Sequence, residues 1–337
     1  MNVIFMGTAE LSCASLQALA ADSQFSVAAV VTQPDRPRGR DLKSQSSPVK
    51  VLAQRLGRPI LQPARARDEK FIGDLRALGP ELIVVAAYGQ ILPPAILDLP
   101  RHGCLNVHTS LLPKYRGAAP IQWAIAHGDT ETGVTIMKMD TGLDTGPMLA
   151  QRRTPILPED DSVSLHDRLA KMGAELLVQT IPGYVAGKIQ PRPQPIDGVS
   201  LAPKIKKEDG RIDWNLPART IWNRLRAFTP WPGAFTSLPD AVGRASPRAD
   251  AGAAGTDQLA GGLVPPKTHR LKIWKAAAVE ESGEAGAVLS ADKKGILVAC
   301  GQGALWILEL QREGGRRMSA AEFLAGHTLT AGEKFAT

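Results

Sequence analysis

Residues 103–117 read GCLNVHTSLLPKYRG. A short hydrophobic run ends in Asn106 and His108, two residues apart, and gives way to a proline-broken, basic segment. Alternate residues of a strand share a face, so the spacing predicts an amide and an imidazole converging on one side just where the chain leaves a sheet. The neighbouring sequence says what kind of sheet. NVIFM (2–6), SVAAVVT (26–32), ELIVVAA (81–87), GCLNVH (103–108) and GVTIMKM (133–139) read as strands, and 9–21, 48–56, 67–78, 119–127 and 161–181 as helices. That alternation predicts an α/β domain with a mostly parallel sheet covered on both faces. Ligands of such sheets bind beyond the carboxyl ends of the strands, and Asn106 and His108 occupy one of those ends.

At 337 residues the chain is long for one compact unit, and 44% hydrophobic content is enough for two cores. The three cysteines, Cys13, Cys104 and Cys300, are odd in number and in no metal-ligand spacing, so neither a disulfide framework nor a zinc site is expected. A reducing, cytoplasmic setting is expected: no basic leader precedes NVIFM, and no apolar run approaches the roughly 18 residues that span a bilayer. The net charge of +7 is uneven. Residues 1–200 carry 21 Lys and Arg against 19 Asp and Glu, whereas residues 201–337 carry 19 against 14. A basic second part is compatible with a plain solvated surface or with a polyanionic partner, nucleic acid first among them.

The run GKIQPRPQPIDGVSLAPKIKKEDG (187–210), rich in proline and without periodicity, reads as an interdomain linker. Beyond it the pattern changes. IDWNLPARTIWNRLRAF (212–228) contains a helix, and 271–279, 286–291, 295–301 and 303–311 are short strands with glycine-marked turns, the pattern of a small barrel. Between them, residues 237–268 are built largely of Ala, Gly, Pro and Asp and read as an insertion without a core of its own. Trp222 and Trp231 are expected in the core, and His102, His127 and His166 as structural.

The loop MDTGLDTGPM (139–148) offers two carboxylates among glycines. If it folds back toward the neighbouring strand end, Asp144 faces His108. An amide, an imidazole and a carboxylate without a serine or cysteine nucleophile suit a reaction in which the substrate brings its own nucleophile. Spacing alone does not decide this, because a polar pair at a strand end is more often a satisfied turn. FMGTAE (5–10) lacks the G-x-G-x-x-G set, so no dinucleotide is expected.

Context adds to the residues. NVHTSLLPKYRGAAPIQWAI followed by ETGVTIMKMDTGLDTGPML resembles the formyltransferases that use 10-formyltetrahydrofolate, whose pattern is Asn-x-His-x-Ser-Leu-Leu-Pro and a distal Asp in a glycine-rich loop. TQPDRPRGR (32–40), SSPVKVLA (46–53), AAYGQILP (86–93), RIDWN (211–215), AFTPWPGAF (227–235) and MSAAEFL (318–324) narrow the resemblance to the methionyl-tRNA formyltransferases, in order and over nearly the whole chain. The resemblance implies a Rossmann-like formyltransferase domain over 1–189, a linker at 190–208, and a C-terminal OB-like β-barrel that binds tRNA over 209–330, interrupted by the insertion at 237–268. It assigns Asn106, His108 and Asp144 to catalysis. Ser110, Leu111, Leu112 and Pro113 would hold the folate, with Tyr88, Gly89, Ile91 and Asp140 lining the pterin pocket and no metal bound.

Seven basic residues lie between 36 and 58 against the single acid Asp41. Here the resemblance implies that Arg36, Arg38, Arg40 and Lys43 meet the acceptor stem of initiator methionyl-tRNA, with the protein acting as a monomer. A phosphoribosylglycinamide formyltransferase would have no C-terminal barrel, and a nucleotide-sugar formyltransferase no use for this basic loop.

Overall fold

The computed structural model describes residues 1–38, 43–239 and 268–336. It divides into two compact units, Met1–Ile205 and Lys206–Thr337. Arg40, and residues 240–267 of the expected insertion, lie outside the described residues. No helix among the described residues is long and apolar enough to cross a membrane.

The first unit opens with β1 (Asn2–Gly7), α1 (Leu11–Ala21), β2 (Ser26–Val31), β3 (Arg36–Arg38), β4 (Lys43–Gln45), α2 (Pro48–Arg55) and β5 (Ile60–Leu61). It continues through α3 (Glu69–Ala77), β6 (Leu82–Ala86), α4 (Pro94–Leu97), β7 (Cys104–His108), β8 (Arg116–Gly117) and α5 (Pro120–His127). β9 (Glu131–Lys138), β10 (Met148–Pro155), α6 (Ser162–Val185) and β11 (Leu201–Ala202) complete it. Seven strands form the main sheet in the order β10-β9-β7-β6-β1-β2-β5. The five from β7 to β5 are parallel, while β9 and β10 run antiparallel at the other edge.

Strands β1 and β6 are buried almost throughout, which is why they read as continuous apolar runs rather than as alternations. On one face Ile4, Ile83 and Cys104 pack with Phe71 and Leu75 of α3 and Ile96 of α4. On the other face α6 lies against β7 and β9. In β7 the alternation sends Leu105 and Val107 to the α6 side, and Cys104, Asn106 and His108 to the α3–α4 side. The short α4 ends its cover near Cys104, whose thiol lies 3.6 Å from the Ile96 carbonyl. Asn106 and His108 therefore continue a row of core residues past the point where helices cover it.

The run read as a linker is instead packed along the first unit as far as Ile205. Met148 and Arg192 exchange backbone hydrogen bonds of 2.7 and 2.8 Å, and β11 pairs in parallel with β8. Around that pairing the Tyr115 amide donates to Ser200 Oγ at 2.9 Å and the Arg116 amide to Ser200 O at 2.9 Å.

The second unit begins with a 3-10 turn (Lys207–Gly210) and α7 (Ala218–Ala227). Strands β12 (Ala234–Pro239), β13 (Thr268–Val279), β14 (Val288–Asp292), β15 (Gly295–Ala299), β16 (Ala304–Arg312) and β17 (Arg317–Ser319) follow, and α8 (Ala320–Gly326) comes last. The strands form one antiparallel sheet, ordered β12-β13-β16-β15-β14 with β17 on β16. Its core gathers Trp214, Ile221, Leu225, Ile273, Val298, Ile307 and Phe323, and the Trp214 indole N–H donates to Thr236 Oγ1 at 3.1 Å. The motif MSAAEFL forms the start of α8, where Ser319 and Glu322 make a reciprocal capping box.

The contact between α6 and the site strand is set by Gly173. A Cβ there would lie 2.8 Å from Cγ1 of Val107, the residue between Asn106 and His108, and 3.4 Å from Cγ1 of Val134. Gly173→Leu overpacks this seam and is expected to lower stability by about 1–3 kcal/mol, read as a shifted midpoint in denaturant unfolding; an unshifted midpoint would show that the helix seats elsewhere.

Candidate active site

His108 is buried, and its Nε2 lies 2.9 Å from the carbonyl oxygen of Tyr115. A carbonyl only accepts, so Nε2 carries the hydrogen, and in the neutral ring Nδ1 holds the lone pair. Nδ1 faces Asp144, with Oδ2 at 3.7 Å. The tautomer is thus fixed by a backbone carbonyl, and Nδ1 is left as the site where a proton can be taken up or released. The nearby carboxylate would stabilise the imidazolium so formed.

Asp144 itself is gripped from two other sides. The Gly117 amide donates to Oδ2 at 2.8 Å, and Asn106 Nδ2 donates to Oδ1 at 3.3 Å. One hydrogen of the Asn106 amide is spent on this contact and the second is free to serve a ligand oxygen. Gly117 has φ +124°, and a Cβ there would lie 2.7 Å from Ala202 O of the strap 192–202, so only glycine allows the amide to reach Asp144.

The structure thus brings Asn106, His108 and Asp144 together. It does so by a route that the sequence does not display. β9 is antiparallel to β7, with Lys138 beside Leu105 and Thr135 beside His108, so the loop 139–147 starts at the far end of the site strand and doubles back. The Lys138 amide closes its neck on Pro147 O at 2.9 Å. Within it Asp140 accepts from the Gly142 amide at 3.0 Å and Thr145 Oγ1 at 2.7 Å, and so braces the loop. Asp144 sits at φ 51°, the left-handed region.

Three residues that sequence reasoning passed over complete the arrangement: Tyr115, Gly117 and Gln194. The first two act through the backbone, where side-chain identity gives little signal, although the glycine is one hint. Gln194 lies in the run read as linker; its Nε2 donates to Asp144 O at 2.7 Å and Gly146 O at 2.8 Å.

Of the expected folate contacts, Tyr88, Gly89 and Ile91 form the loop after β6, which leaves the sheet beside Asn106. Thr8 Oγ1 and Gln33 Nε2 hold the Tyr88 carbonyl at 2.9 and 3.0 Å, tying the loop to the ends of β1 and β2. The Tyr88 ring is buried, and its hydroxyl has no hydrogen-bond partner among the described residues. Burial pushes that phenol up to about 12. Ile91 is 86% exposed, and Leu143, in the loop over the site, 60%. Ser110 Oγ donates to Lys114 O at 2.6 Å, while the Leu112 amide and carbonyl are held by Thr135 and Gln151. That leaves the half-buried Leu111 and Pro113 as the available surface of this segment.

The backbone of Arg36, Arg38 and Lys43 forms a two-stranded ribbon, β3 against β4, just past the carboxyl end of β2. Asp35 anchors its base: Lys50 Nζ lies 2.5 Å from Oδ2 and Gln62 Nε2 donates to Oδ1 at 2.9 Å. The hydrogen bond from Lys50, then that from Gln62, holds this carboxyl below its usual range. In the second unit, Trp222 does pack partly against the core, but the guanidiniums of Arg219 (4.3 Å) and Arg226 (3.9 Å) also lie over its ring. Trp231, expected in the core, is 59% exposed because the TPWPG turn carries it outward. Lys272 and Arg317 flank Trp274, and Arg270 covers Phe235.

Among the described residues no group of three or more His, Cys, Asp or Glu side chains could hold a metal ion. The thiol of Cys104, the cysteine of the site strand, is pushed up to about 12, chiefly by burial.

Residues 1–181 match the formyl transferase family, and residues 204–328 match the formyl transferase C-terminal domain. The methionyl-tRNA formyltransferase of Myxococcus xanthus is 49% identical over 333 residues, covering 99% of this chain and 97% of that protein. The methionyl-tRNA formyltransferase of Trichlorobacter lovleyi is 49% identical over 98% of this chain and 96% of its own. Among solved structures, the sugar 3N-formyl transferase WlaRD, determined with dTDP and 5-N-formyl-THF, shares the fold at a TM-score of 0.60 and 17% identity, over 91% of this chain and 97% of that one. HypX from Aquifex aeolicus, in complex with tetrahydrofolic acid, superimposes at 0.57 and 16% identity over 98% of this chain and 50% of its own. With both domains matched in order and close relatives aligned almost end to end, the chain belongs to the formyl transferase family.

Proposed function

We infer that this chain transfers the formyl group of 10-formyltetrahydrofolate to the α-amino group of methionine on initiator methionyl-tRNA, giving N-formylmethionyl-tRNA for translation initiation. The observation that carries the reading is the convergence of Asn106, His108 and Asp144 at an open strand end, in a chain that aligns with methionyl-tRNA formyltransferases over 99% of its length. The folate supplies an activated formyl carbon attached to a nitrogen that can leave.

The residues then take these roles. The second N–H of Asn106 donates to the formyl oxygen as that oxygen gains negative charge, an interaction that strengthens toward the transition state. His108 moves the proton at Nδ1: it receives the one released by the attacking amine and returns it to the departing nitrogen, so that no proton is gained or lost overall. Asp144, at 3.7 Å, stabilises the imidazolium between those two transfers. The Tyr115 carbonyl keeps the ring in the tautomer this needs.

Fit to the folate is supported by the buried Tyr88 hydroxyl, which has no partner among the described residues, and by the exposed apolar side chains of Ile91 and Leu143 on the two loops that border the site. Leu111 and Pro113 add apolar surface, while Ser110 and Leu112 hold that segment rigid. For the tRNA, the ribbon carrying Arg36, Arg38 and Lys43, together with Arg40, is read as the acceptor-stem contact. The second unit is read as an OB-like tRNA-binding domain, supported by its antiparallel sheet and by basic residues paired with aromatic rings, a combination suited to nucleic acid.

Two measurements test this reading. Asn106→Ala is expected to lower kcat for formylation roughly 100-fold, as loss of one oxyanion donor does elsewhere, with folate binding little changed; wild-type turnover in that variant would sink the mechanism. Arg40→Leu tests the ribbon. If Arg40 reads the weakly paired end of the initiator acceptor stem, kcat/KM falls on initiator methionyl-tRNA far more than on elongator methionyl-tRNA. If it touches only phosphate, both fall alike and the salt slope drops by roughly one unit. The first outcome is expected, and an unchanged preference between the two tRNAs would locate specificity outside the ribbon.

A further inference from the structure

The side chain of Gln194 makes four hydrogen bonds. Its Oε1 accepts from Arg116 Nε at 3.0 Å and Arg116 Nη2 at 2.8 Å. Its Nε2 donates to Asp144 O at 2.7 Å and Gly146 O at 2.8 Å. A guanidinium only donates and a carbonyl only accepts, so the partners fix which end of the amide is oxygen and which nitrogen, and both amide hydrogens are used. Gln194 is carried by the strap 192–202, which is itself fastened at Arg192 to Met148 and at Leu201–Ala202 to Arg116–Gly117. Arg116, which orients the Gln194 amide, lies between Tyr115 and Gly117. Those two neighbours are the residues that hold His108 and Asp144 through their backbone.

We propose that Gln194 is a positioning residue for formyl transfer: by binding the carbonyls of Asp144 and Gly146 it holds the doubled-back loop in register, so that the Asp144 carboxylate meets the Gly117 amide, Asn106 and His108. This rests on the role given to Asp144 above. The physical argument is directional. Asp144 is in the left-handed region at φ 51°, a conformation disfavoured for aspartate that persists only where its surroundings enforce it. Its loop approaches the sheet at Gly146, where a Cβ would overlap the Lys138 carbonyl. Two donors on the Asp144 and Gly146 carbonyls fix the planes of the Asp144–Thr145 and Gly146–Pro147 peptides, and with the first of them the direction in which the Asp144 side chain leaves the backbone. Gln194 touches no reacting atom; it acts through Asp144.

Two variants test this against wild type. Gln194→Ala removes the amide, and Gln194→Glu keeps its size and its partner for Arg116 while replacing both N–H donors by an acceptor that faces two carbonyls. Both are expected to lower kcat by some tens of fold, the scale of a small misplacement of catalytic groups, while KM for folate and for tRNA stays within about threefold and both proteins stay cooperatively folded at the assay temperature, with only a modest fall in the unfolding midpoint. The Glu variant adds a signature that a merely structural role would not give. As pH falls, its protonated carboxyl regains one donor, so its deficit relative to wild type shrinks while that of the Ala variant stays constant. Independently of activity, backbone hydrogen exchange at Gly117 and across 142–146 is expected to quicken in both variants. Wild-type kcat in a folded Gln194→Glu protein would overturn the proposal and leave the proposed reaction standing. Unchanged exchange in both variants would overturn it whatever reaction the chain performs, and a wild-type chain without formylation activity would overturn the reaction while the exchange data still judged the clamp.

Discussion

Because β9 runs antiparallel to β7, the loop that leaves it begins beside Leu105, three residues short of His108. At ~3.3 Å per residue that is roughly 10 Å of strand to be recovered. A carboxylate from this loop can meet the imidazole only if the loop turns back over the face that α3 and α4 leave open. Turning back exposes backbone carbonyls that no strand or helix will satisfy, and such groups need donors. The neck is closed by Lys138 on Pro147, and the crest is held by Gln194 on Asp144 and Gly146. The rest of the site, from the glycine at 117 to the strap beyond Arg192, follows from that reversal.

The same geometry explains the division of labour around His108. A carbonyl on one ring nitrogen and a carboxylate near the other leave a single nitrogen for proton transfer, with a counter-charge in place beside it. Asp144 is freed from orienting the ring, and its own three contacts orient the acid instead. One backbone stretch, Tyr115–Gly117, delivers both restraints. A shift of that stretch would therefore disturb His108 and Asp144 together.

Much of the scaffold was legible because its physics is local. β6 and β7 are short apolar runs between breakers, and the period of two in Asn106-Val107-His108 gives the shared face directly. Other parts were not legible, each for its own reason. β10, MLAQRRTP, is half exposed and carries two arginines, so it lacks the apolar signal of its neighbours and forms by pairing with β9. The run 187–210 has the composition of a linker, and as far as Ile205 its order comes from contacts with residues about 45 to 85 positions earlier, such as Gln194 with Asp144 and Ser200 with Tyr115. No window along the chain contains both halves of such a contact. Tyr115 contributes a carbonyl, which any residue could supply. Trp231 was misplaced because a large aromatic defaults to the core, whereas the proline-flanked turn that holds it projects it outward.

The strap also says where this molecule can be cut. The family's N-terminal match ends at residue 181, yet the structural unit runs to Ile205, and the interval contains Arg192, Gln194 and Ser200–Ala202, all fastened to the loop that carries Asp144 or to its support. A seam for exchanging C-terminal modules therefore lies at the start of the second unit and not at the end of α6. A lineage that swapped one C-terminal module for another at the earlier point would discard the fastening of the Asp144 loop, whereas a swap after Ile205 would carry it along. In evolutionary terms these two dozen residues belong to the inheritance of the enzyme's first unit, although they lie beyond the end of the family's N-terminal match.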